Sequence, residues 1–132
     1  MIYADANILI RLLEGDTAAR TPIEARLLPL RGTTKFLLTS RLSRLECRVK
    51  PLRSGDSKLL ALWDDFFATP ELAPLVELTP AVLERATELR AALNVKTPDA
   101  LHLASAILGG ATAFLTGDRG LARCTEIPVE IL

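Results

Sequence analysis

The sequence predicts a single α/β domain whose mainly parallel sheet is covered by helices on both faces. Three observations support this prediction. The chain has 132 residues, which is long enough to bury a core without disulfides or metals. Hydrophobic residues make up 49% of it, with a mean hydropathy of +0.27, which argues against disorder. Short apolar runs alternate with helical patterns, as is typical of parallel sheets. No repeat or long linker divides residues 1–132, so we interpret them as one domain.

Five strands and six helices are predicted. The strand candidates are short apolar runs at residues 2–5, 35–39, 75–78, 112–115 and 128–131. The helical candidates lie between them, at about 7–13, 17–28, 40–50, 57–68, 80–93 and 98–108. Pro80 and Pro98 each follow a threonine, which predicts Thr as N-cap and Pro at the first helical position. Gly109 and Gly110 are expected to end the last long helix.

Composition argues against several classes of protein. No apolar run reaches the roughly 18 residues that a membrane span needs. Asp5 falls where the apolar part of a secretory signal would begin, so we expect a cytoplasmic protein. Cys47 and Cys124 are isolated thiols and His102 is the only histidine, which argues against a structural zinc site. His102 is expected to be a structural residue at a helix edge rather than a catalyst.

A net charge of zero conceals a basic segment at residues 31–58. Its charge is +6, balanced by −6 elsewhere, because eight basic side chains oppose only Glu46 and Asp56. A local basic patch suits a surface that binds a polyanion, and a solvated helical face explains the same pattern equally well. The eight are Arg31, Lys35, Arg41, Arg44, Arg48, Lys50, Arg53 and Lys58.

Two carboxylates follow strand candidates. Asp5 closes the first, in "IYADANIL", where burying an unpaired carboxylate would cost several kcal/mol. Asp118 lies in the turn "TGDRG" after the fourth, where it is otherwise an ordinary turn residue. Functional residues of open parallel sheets gather beyond the carboxyl ends of the strands. The two acids are therefore expected to share one crevice.

Two further carboxylates belong to helices. At about 100° per residue, Glu46 lies with the apolar stripe of its helix, formed by Leu42, Leu45 and Val49, and away from the neighbouring arginines. The alternative is a residue at the edge of that stripe whose carboxylate reaches water. Asp99 stands in the first turn of a mostly small and apolar helix, where favourable interaction with the helix dipole is sufficient to explain it. Asp99 is nevertheless a candidate site residue, because the buried character of that helix places its start within the fold.

If these four carboxylates converge, their mutual repulsion raises their pKa values unless a cation compensates. Oxygen ligands without histidine or cysteine select Mg²⁺ or Mn²⁺ over zinc. Such a metal lowers the pKa of an attacking water and neutralises charge in the transition state, which suits hydrolysis of a phosphodiester. The predicted site is therefore Asp5, Glu46, Asp99 and Asp118.

Two other readings use the same residues. A phosphotransfer or phosphatase module also places acids beyond parallel strands, but it needs a lysine after a late strand, and none follows there. A non-catalytic module would use the basic segment to bind RNA or an acidic protein without metal. The segment "LLALWDDFF", residues 59–67, is either a partner surface or an amphipathic helix that packs on the core.

Four strings in this order resemble the motifs of the PIN-domain ribonucleases, and specifically of the VapC-type toxins. "YADANIL" is similar to the opening motif, with Asp5 as first acid and Asn7 as its supporting residue. "SRLSRLECRV" resembles the helix of the second acid, Glu46, and "TPDALHLASA" matches the motif of the third, Asp99. "AFLTGDRGL" resembles the last motif, with Thr116 and Asp118. Ala6 stands where Thr or Ser is common in the family.

The resemblance covers nearly the whole chain and implies a three-layer α/β/α sandwich. It also implies an Mg²⁺- or Mn²⁺-dependent endoribonuclease that forms a homodimer and is inhibited by a small VapB-type antitoxin with a DNA-binding part. The four acids would hold metal and orient or activate water, and Asn7 and Thr116 would support them. Charge alone suggests phosphate contacts from Arg41, Arg44, Arg48 and Arg119.

Overall fold

The structure, a computed structural model, describes residues 1–33 and 36–132. Within them lie five strands and six helices, in the predicted order. The strands are β1 (Ile2–Ala4), β2 (Leu37–Ser40), β3 (Leu75–Val76), β4 (Ala113–Thr116) and β5 (Val129–Ile131). The helices are α1 (Ala6–Glu14), α2 (Thr17–Leu27), α3 (Arg41–Ser54), α4 (Ser57–Phe67), α5 (Pro80–Leu93) and α6 (Thr97–Leu108). The predicted start of the second strand, at residue 35, falls outside the described residues.

The strands form one parallel sheet in the order β3-β2-β1-β4-β5. The central strand β1 pairs on one side with β2, placing Ile2 opposite Leu37, and on the other with β4, placing Ile2 opposite Ala113. Because the strands are parallel, the carboxyl ends of β2, β1 and β4 lie side by side along one edge of the sheet. The residues that follow these strands are therefore neighbours in space, although they are far apart in the sequence.

Helices cover both faces of the sheet, as predicted. On β1, Ile2 and Ala4 belong to one core and Tyr3 to the other, because successive side chains of a strand point to opposite faces. The first core takes buried side chains from α1, α2 and α4, among them Ile8, Ile23 and Trp63. The second is built mainly on α5 and α6. This confirms the three-layer α/β/α architecture.

Two helix ends differ from the prediction. Helix α3 continues through Pro51 to Ser54, because Gly55, with a φ of 70°, supplies the left-handed residue that ends it. Helix α6 begins one residue early, with Lys96 as N-cap. The Thr97 hydroxyl accepts a hydrogen bond from Arg90 Nη1 at 2.9 Å and so does not cap the helix. Thr79 does cap α5, accepting a hydrogen bond from the Val82 amide at 3.2 Å.

The segment "LLALWDDFF" forms most of α4 and packs on the core. Trp63 is fully buried and Phe67 nearly so, and their rings stack with centroids 5.7 Å apart. The core-packing reading of this segment is therefore right for its aromatic side chains. Helix α3 contacts α4 beside it. No helix among the described residues is both long and apolar enough to cross a membrane.

Candidate metal centre

The four carboxylates singled out in the sequence line one cavity at the carboxyl edge of the sheet. Its volume is about 210 Å³. The acids come from four separate parts of the chain: the β1–α1 junction, α3, the start of α6 and the loop after β4. The cavity is lined by Asp5, Ala6, Asn7, Glu46, Asp99, His102, Thr116 and Asp118.

Asp5 is the most buried of the four acids, with 8% of its surface exposed. It is the N-cap of α1 and accepts a hydrogen bond from the Ile8 amide at 3.0 Å. Burial raises the pKa of Asp5, and the charge of Glu46 raises it further, while contact with Thr116 and Ile8 lowers it. Its carboxylate therefore has partners that fix its position, and no cationic side chain in the described part of the chain is bonded to it.

Thr116 lies between the first and the last acid. Its hydroxyl faces the Asp5 carboxylate and accepts a hydrogen bond from the Asp118 amide at 3.1 Å. Asp118 itself is exposed and accepts a bond from the Gly120 amide at 2.8 Å, capping a short 3₁₀ helix, Arg119–Arg123. The loop packs closely here, since a Cβ at Gly117 would lie 3.1 Å from Asn7 Nδ2. Thr116 thus links the ends of β1 and β4 across the cavity.

Glu46 points into the cavity, but not for the reason given by the helical pattern. Leu45 and Val49, which the pattern predicted to be buried with it, are 59% and 40% exposed. The buried face of α3 instead carries Ser43 and Cys47, which are small enough to let the helix approach its neighbours. Glu46 lies at the edge of that face, with 35% of its side chain exposed. The predicted stripe was right for Leu42, which is buried, and wrong for Leu45 and Val49, although Glu46 lines the expected cavity.

Asp99 occupies the first turn of α6, as predicted, and is half-buried. Burial raises the pKa of Asp99, and the negative charges of Asp118 and Asp5 raise it further. His102 and Lys96 lower it. Neighbouring carboxylates therefore destabilise the charges of Asp5 and Asp99, as expected of carboxylates that share a site without a cation.

His102 and Tyr3 belong to this site, and the sequence reasoning did not place them there. His102 is 3% exposed, and its Nε2 lies 2.8 Å from Glu46 Oε1. Its Nδ1 lies 2.7 Å from the hydroxyl of Tyr3, which is completely buried. The available signal was spacing on α6: residues three apart share a helix face, so His102 had to follow Asp99.

The donor set fits a hard divalent cation. It consists of carboxylate oxygens with one hydroxyl and one amide at hand, because both ring nitrogens of His102, which also lines the cavity, already face Tyr3 and Glu46. Oxygen donors of this kind suit Mg²⁺ or Mn²⁺ rather than zinc. Among residues 1–33 and 36–132, no three Asp, Glu, His or Cys side chains stand close enough together to form a ready metal-binding group. Mg²⁺ usually keeps several waters and binds one or two carboxylates directly. The cavity therefore fits a hydrated ion better than one enclosed by protein.

The arginines lie outside the acidic cavity. Arg41 pairs with Glu77 at 2.5 Å and Arg48 with Asp64 at 2.8 Å, and both line a separate groove with Arg44 on the outer face of α3. Arg119 is exposed, next to Asp118. A second small cavity shares Asp99 and Asp118 with the acidic one and is also lined by Lys96 and Arg123. Positively charged side chains therefore lie next to the acids at the N-terminal end of α6.

A larger groove, of about 660 Å³, runs along the surface where α5 and α6 meet. It is lined by the apolar side chains Leu83, Ala86 and Leu101, with Arg90 as its one charged residue among those described. A groove with a single ionisable group offers no acid–base pair and no set of metal ligands. The chemistry of this chain is therefore expected at the smaller acidic cavity.

Comparison with known proteins gives a consistent result. The PIN domain family matches residues 2–127. A toxin–antitoxin complex from Klebsiella pneumoniae is similar in structure, with a TM-score of 0.71, 22% identity, and coverage of 96% of this chain and 95% of that one. VapBC2 from Rickettsia felis, bound to a DNA fragment from its promoter, has a TM-score of 0.74 and 17% identity, with coverage of 99% of this chain and 98% of that one. VapC20 of Mycobacterium tuberculosis, a sarcin-ricin loop cleaving toxin, has a TM-score of 0.70 and 17% identity, with coverage of 96% of this chain and 98% of that one. No curated protein matches the chain.

Proposed function

Because the chain belongs to the PIN domain family, we propose that it is a divalent-metal-dependent endoribonuclease and the toxin of a toxin–antitoxin pair. The observation that carries this proposal is the convergence of four carboxylates from distant parts of the chain on one cavity. Structural similarity to a toxin–antitoxin complex and to an RNA-cleaving VapC toxin supports it. The cavity lies at the sheet edge where open α/β folds place their functional residues.

Asp5, Glu46, Asp99 and Asp118 would hold Mg²⁺ or Mn²⁺ together with bound waters. The ion would supply a water of lowered pKa and a positive charge beside the phosphate in the transition state. Asn7 and Thr116 would position the acids, since Thr116 contacts both Asp5 and the Asp118 backbone. The role of Thr116 rests on its hydrogen bonds, and that of Asn7 on its place in the lining of the cavity.

Two groups of basic side chains would bind the RNA backbone. Lys96, Arg119 and Arg123 lie around Asp118 and are suited to the phosphates next to the cleaved bond. Arg44 lines the groove on α3, where Arg41 and Arg48 would exchange carboxylates for phosphates. That exchange costs little, because surface ion pairs stabilise a protein by about 0–1 kcal/mol. Lys50 is similarly paired with Glu14, so folding neutralises part of the basic segment.

We also propose the partners. The structural neighbours include VapBC2 bound to a fragment of its promoter. By analogy, this chain would form a homodimer in the cytoplasm, where a small VapB-type antitoxin with a DNA-binding part would inhibit it. Size measurements on the purified chain, alone and with the product of the adjacent gene, test this part of the proposal.

RNA cleavage by the purified chain tests the activity. The wild type is expected to cleave RNA when Mg²⁺ or Mn²⁺ is present and to stop when EDTA is added. The variants Asp5→Asn and Asp99→Asn are expected not to cleave RNA. Glu84→Gln is the matched control, because Glu84 is an exposed acid on α5 that does not line the cavity. If both Asn variants cut RNA as fast as the wild type in nuclease-free preparations, the site assignment is wrong. RNA binding that depends on salt but not on metal, without cleavage, would instead indicate a non-catalytic module.

A further inference from the structure

We propose that His102 is a positioning residue that holds the Glu46 carboxylate in the acidic cavity, with Tyr3 fixing the orientation of its imidazole ring. The inference rests on the proposed metal-dependent function and extends it to two residues outside the four-acid set. It begins with a chain of hydrogen bonds from the core to the cavity. Tyr3 Oη lies 2.7 Å from His102 Nδ1, and His102 Nε2 lies 2.8 Å from Glu46 Oε1.

The inner end of this chain is rigid. Tyr3 is completely buried, stacks on Phe114 with ring centroids 5.2 Å apart, and meets the His102 ring edge-on at 5.9 Å. It lies on the central strand, so its hydroxyl cannot move far without disturbing the sheet. His102 is a buried residue of α6, with 3% of its surface exposed. The rigid core therefore determines where the Nε2 atom stands.

The direction of each hydrogen bond follows from the chemistry of the groups. An ionised carboxylate only accepts, so Nε2 carries the proton and donates it to Glu46. In the neutral ring, Nδ1 then has a lone pair and accepts the proton of the Tyr3 hydroxyl. A phenol hydroxyl carries a proton that it can donate, and His102 Nδ1 is the acceptor within reach at 2.7 Å. The chain thus selects the Nε2–H tautomer.

Glu46 needs such a partner more than Asp5 and Asp118 do. Asp5 is held by the Ile8 amide and Asp118 by the Gly120 amide, whereas Glu46 projects from the middle of a helix on a longer side chain that is 35% exposed. Ordering a free glutamate side chain costs rotamer entropy. His102 provides this order in advance and engages Oε1; within the described residues, Oε2 has no hydrogen-bond partner. Partners of this kind orient metal ligands in many proteins.

The first test reads the hydrogen-bond chain directly. His102 and Tyr3 are the only histidine and the only tyrosine, so a ¹⁵N-histidine spectrum of the full chain contains one ring. The metal-free wild type is expected to show the Nε2–H tautomer, with both ring nitrogens shifting in Glu46→Ala and Nδ1 most affected in Tyr3→Phe. A dominant Nδ1–H tautomer, or a ring that responds to neither substitution, overturns the proposal.

The second test measures Mn²⁺ binding by calorimetry. His102→Leu keeps the volume but removes the donor, and is expected to weaken Mn²⁺ binding by roughly tenfold to a hundredfold. His102→Gln, whose amide can donate, should recover part of that loss. In a Glu46→Ala background, His102→Leu should have no further effect, since the residue acts through Glu46. Equal weakening in both backgrounds, or none in either, contradicts the proposal.

Tyr3→Phe provides the same measurement if His102→Leu fails to fold, because it removes one hydroxyl and leaves the ring packing intact. It is expected to weaken Mn²⁺ binding less than His102→Leu does, and unchanged affinity would remove Tyr3 from the mechanism. Failure of the two proposals is distinguishable. A wild type that neither binds Mn²⁺ nor cuts RNA refutes both, whereas a metal-dependent nuclease whose affinity is the same without His102 refutes only this inference.

Discussion

Replacing Asp5 by Asn or by Ala separates its structural role from its charge. Both changes remove a carboxylate from the cavity, but only Asn retains an oxygen that can accept the Ile8 amide at the start of α1. Asn and Asp are about equally good N-caps, while Ala in their place typically costs about 1 kcal/mol. The difference between the two variants therefore measures the cap.

This difference converts to a melting temperature. At about 2.1 cal/mol/K per residue, 132 residues give an unfolding entropy of about 280 cal/mol/K, so about 1 kcal/mol corresponds to about 3.6 °C. In EDTA at neutral pH, Asp5→Ala should melt about 3 to 4 °C below Asp5→Asn. Because burial raises the pKa of Asp5, its charged form is disfavoured in the fold, and Asp5→Asn should melt at or above the wild type.

Metal should reverse the order of wild type and Asp5→Asn. At a free Mn²⁺ concentration about 100 times its dissociation constant, the wild type gains about 2.7 kcal/mol, or about 10 °C. Asp5→Asn should gain much less. Thermal unfolding followed by circular dichroism measures these melting temperatures: the wild type and Asp5→Asn in EDTA and in Mn²⁺, and Asp5→Ala in EDTA. If Asp5→Asn melts several degrees below the wild type in EDTA, the protein already compensates the Asp5 charge and the argument for a cation is refuted. Equal melting of the two variants would show that the cap contributes nothing.

Three further predictions concern pH, packing and thiol reactivity. Since burial raises the pKa values of Asp5 and Asp99, the folded metal-free chain binds protons more tightly than the unfolded one. The stability that these two acids contribute in urea, taken as the difference between the wild type and the doubly substituted chain with Asp5→Asn and Asp99→Asn, should therefore fall as pH rises from 3.8 through the raised values, and a difference that rises through that window would contradict these shifts. Glu77 and Glu130, whose pKa values are lowered by Arg41 and Arg26, act in the opposite direction but are common to both chains. Gly109→Ala should cost about 1–3 kcal/mol in denaturant unfolding, because its Cβ would lie 2.7 Å from Leu38 Cδ2; wild-type stability would disprove this close approach. Cys47 is 1% exposed and burial raises its pKa, so iodoacetamide should modify it only as fast as the chain unfolds, with faster labelling indicating local opening.

The sequence was sufficient for the order and type of the elements. The parallel α/β class follows from alternating short apolar runs and helical patterns, which reflect local periodicity and burial. The exceptions were local competitions. Thr97 was predicted to cap α6, but its hydroxyl binds Arg90, which the intervening turn brings close. Helix α3 was predicted to end at about residue 50, but the Gly55 turn ends it instead.

The acidic site was predicted in part. Asp5 and Asp118 follow strand candidates, and neighbouring parallel strands end along one edge, so their proximity could be argued from the sequence. Glu46 was selected by a helical stripe that the structure contradicts, since Leu45 and Val49 are exposed. A helical pattern gives relative directions around an axis, but it does not say which direction meets the rest of the protein.

The sequence by itself determined the fold class and the four acids that line the cavity, because both depend on residue type and local spacing. Only the tertiary structure decided what surrounds each acid. It brought His102 to Glu46 and Tyr3 to His102 across 56 and 99 residues of chain, and it paired Arg41 and Arg48 with distant carboxylates. Such contacts depend on how α6 and α3 pack beside β1. No short stretch of sequence encodes that packing, which is why the interpretation of His102 as a helix-edge residue missed its hydrogen bond to Glu46.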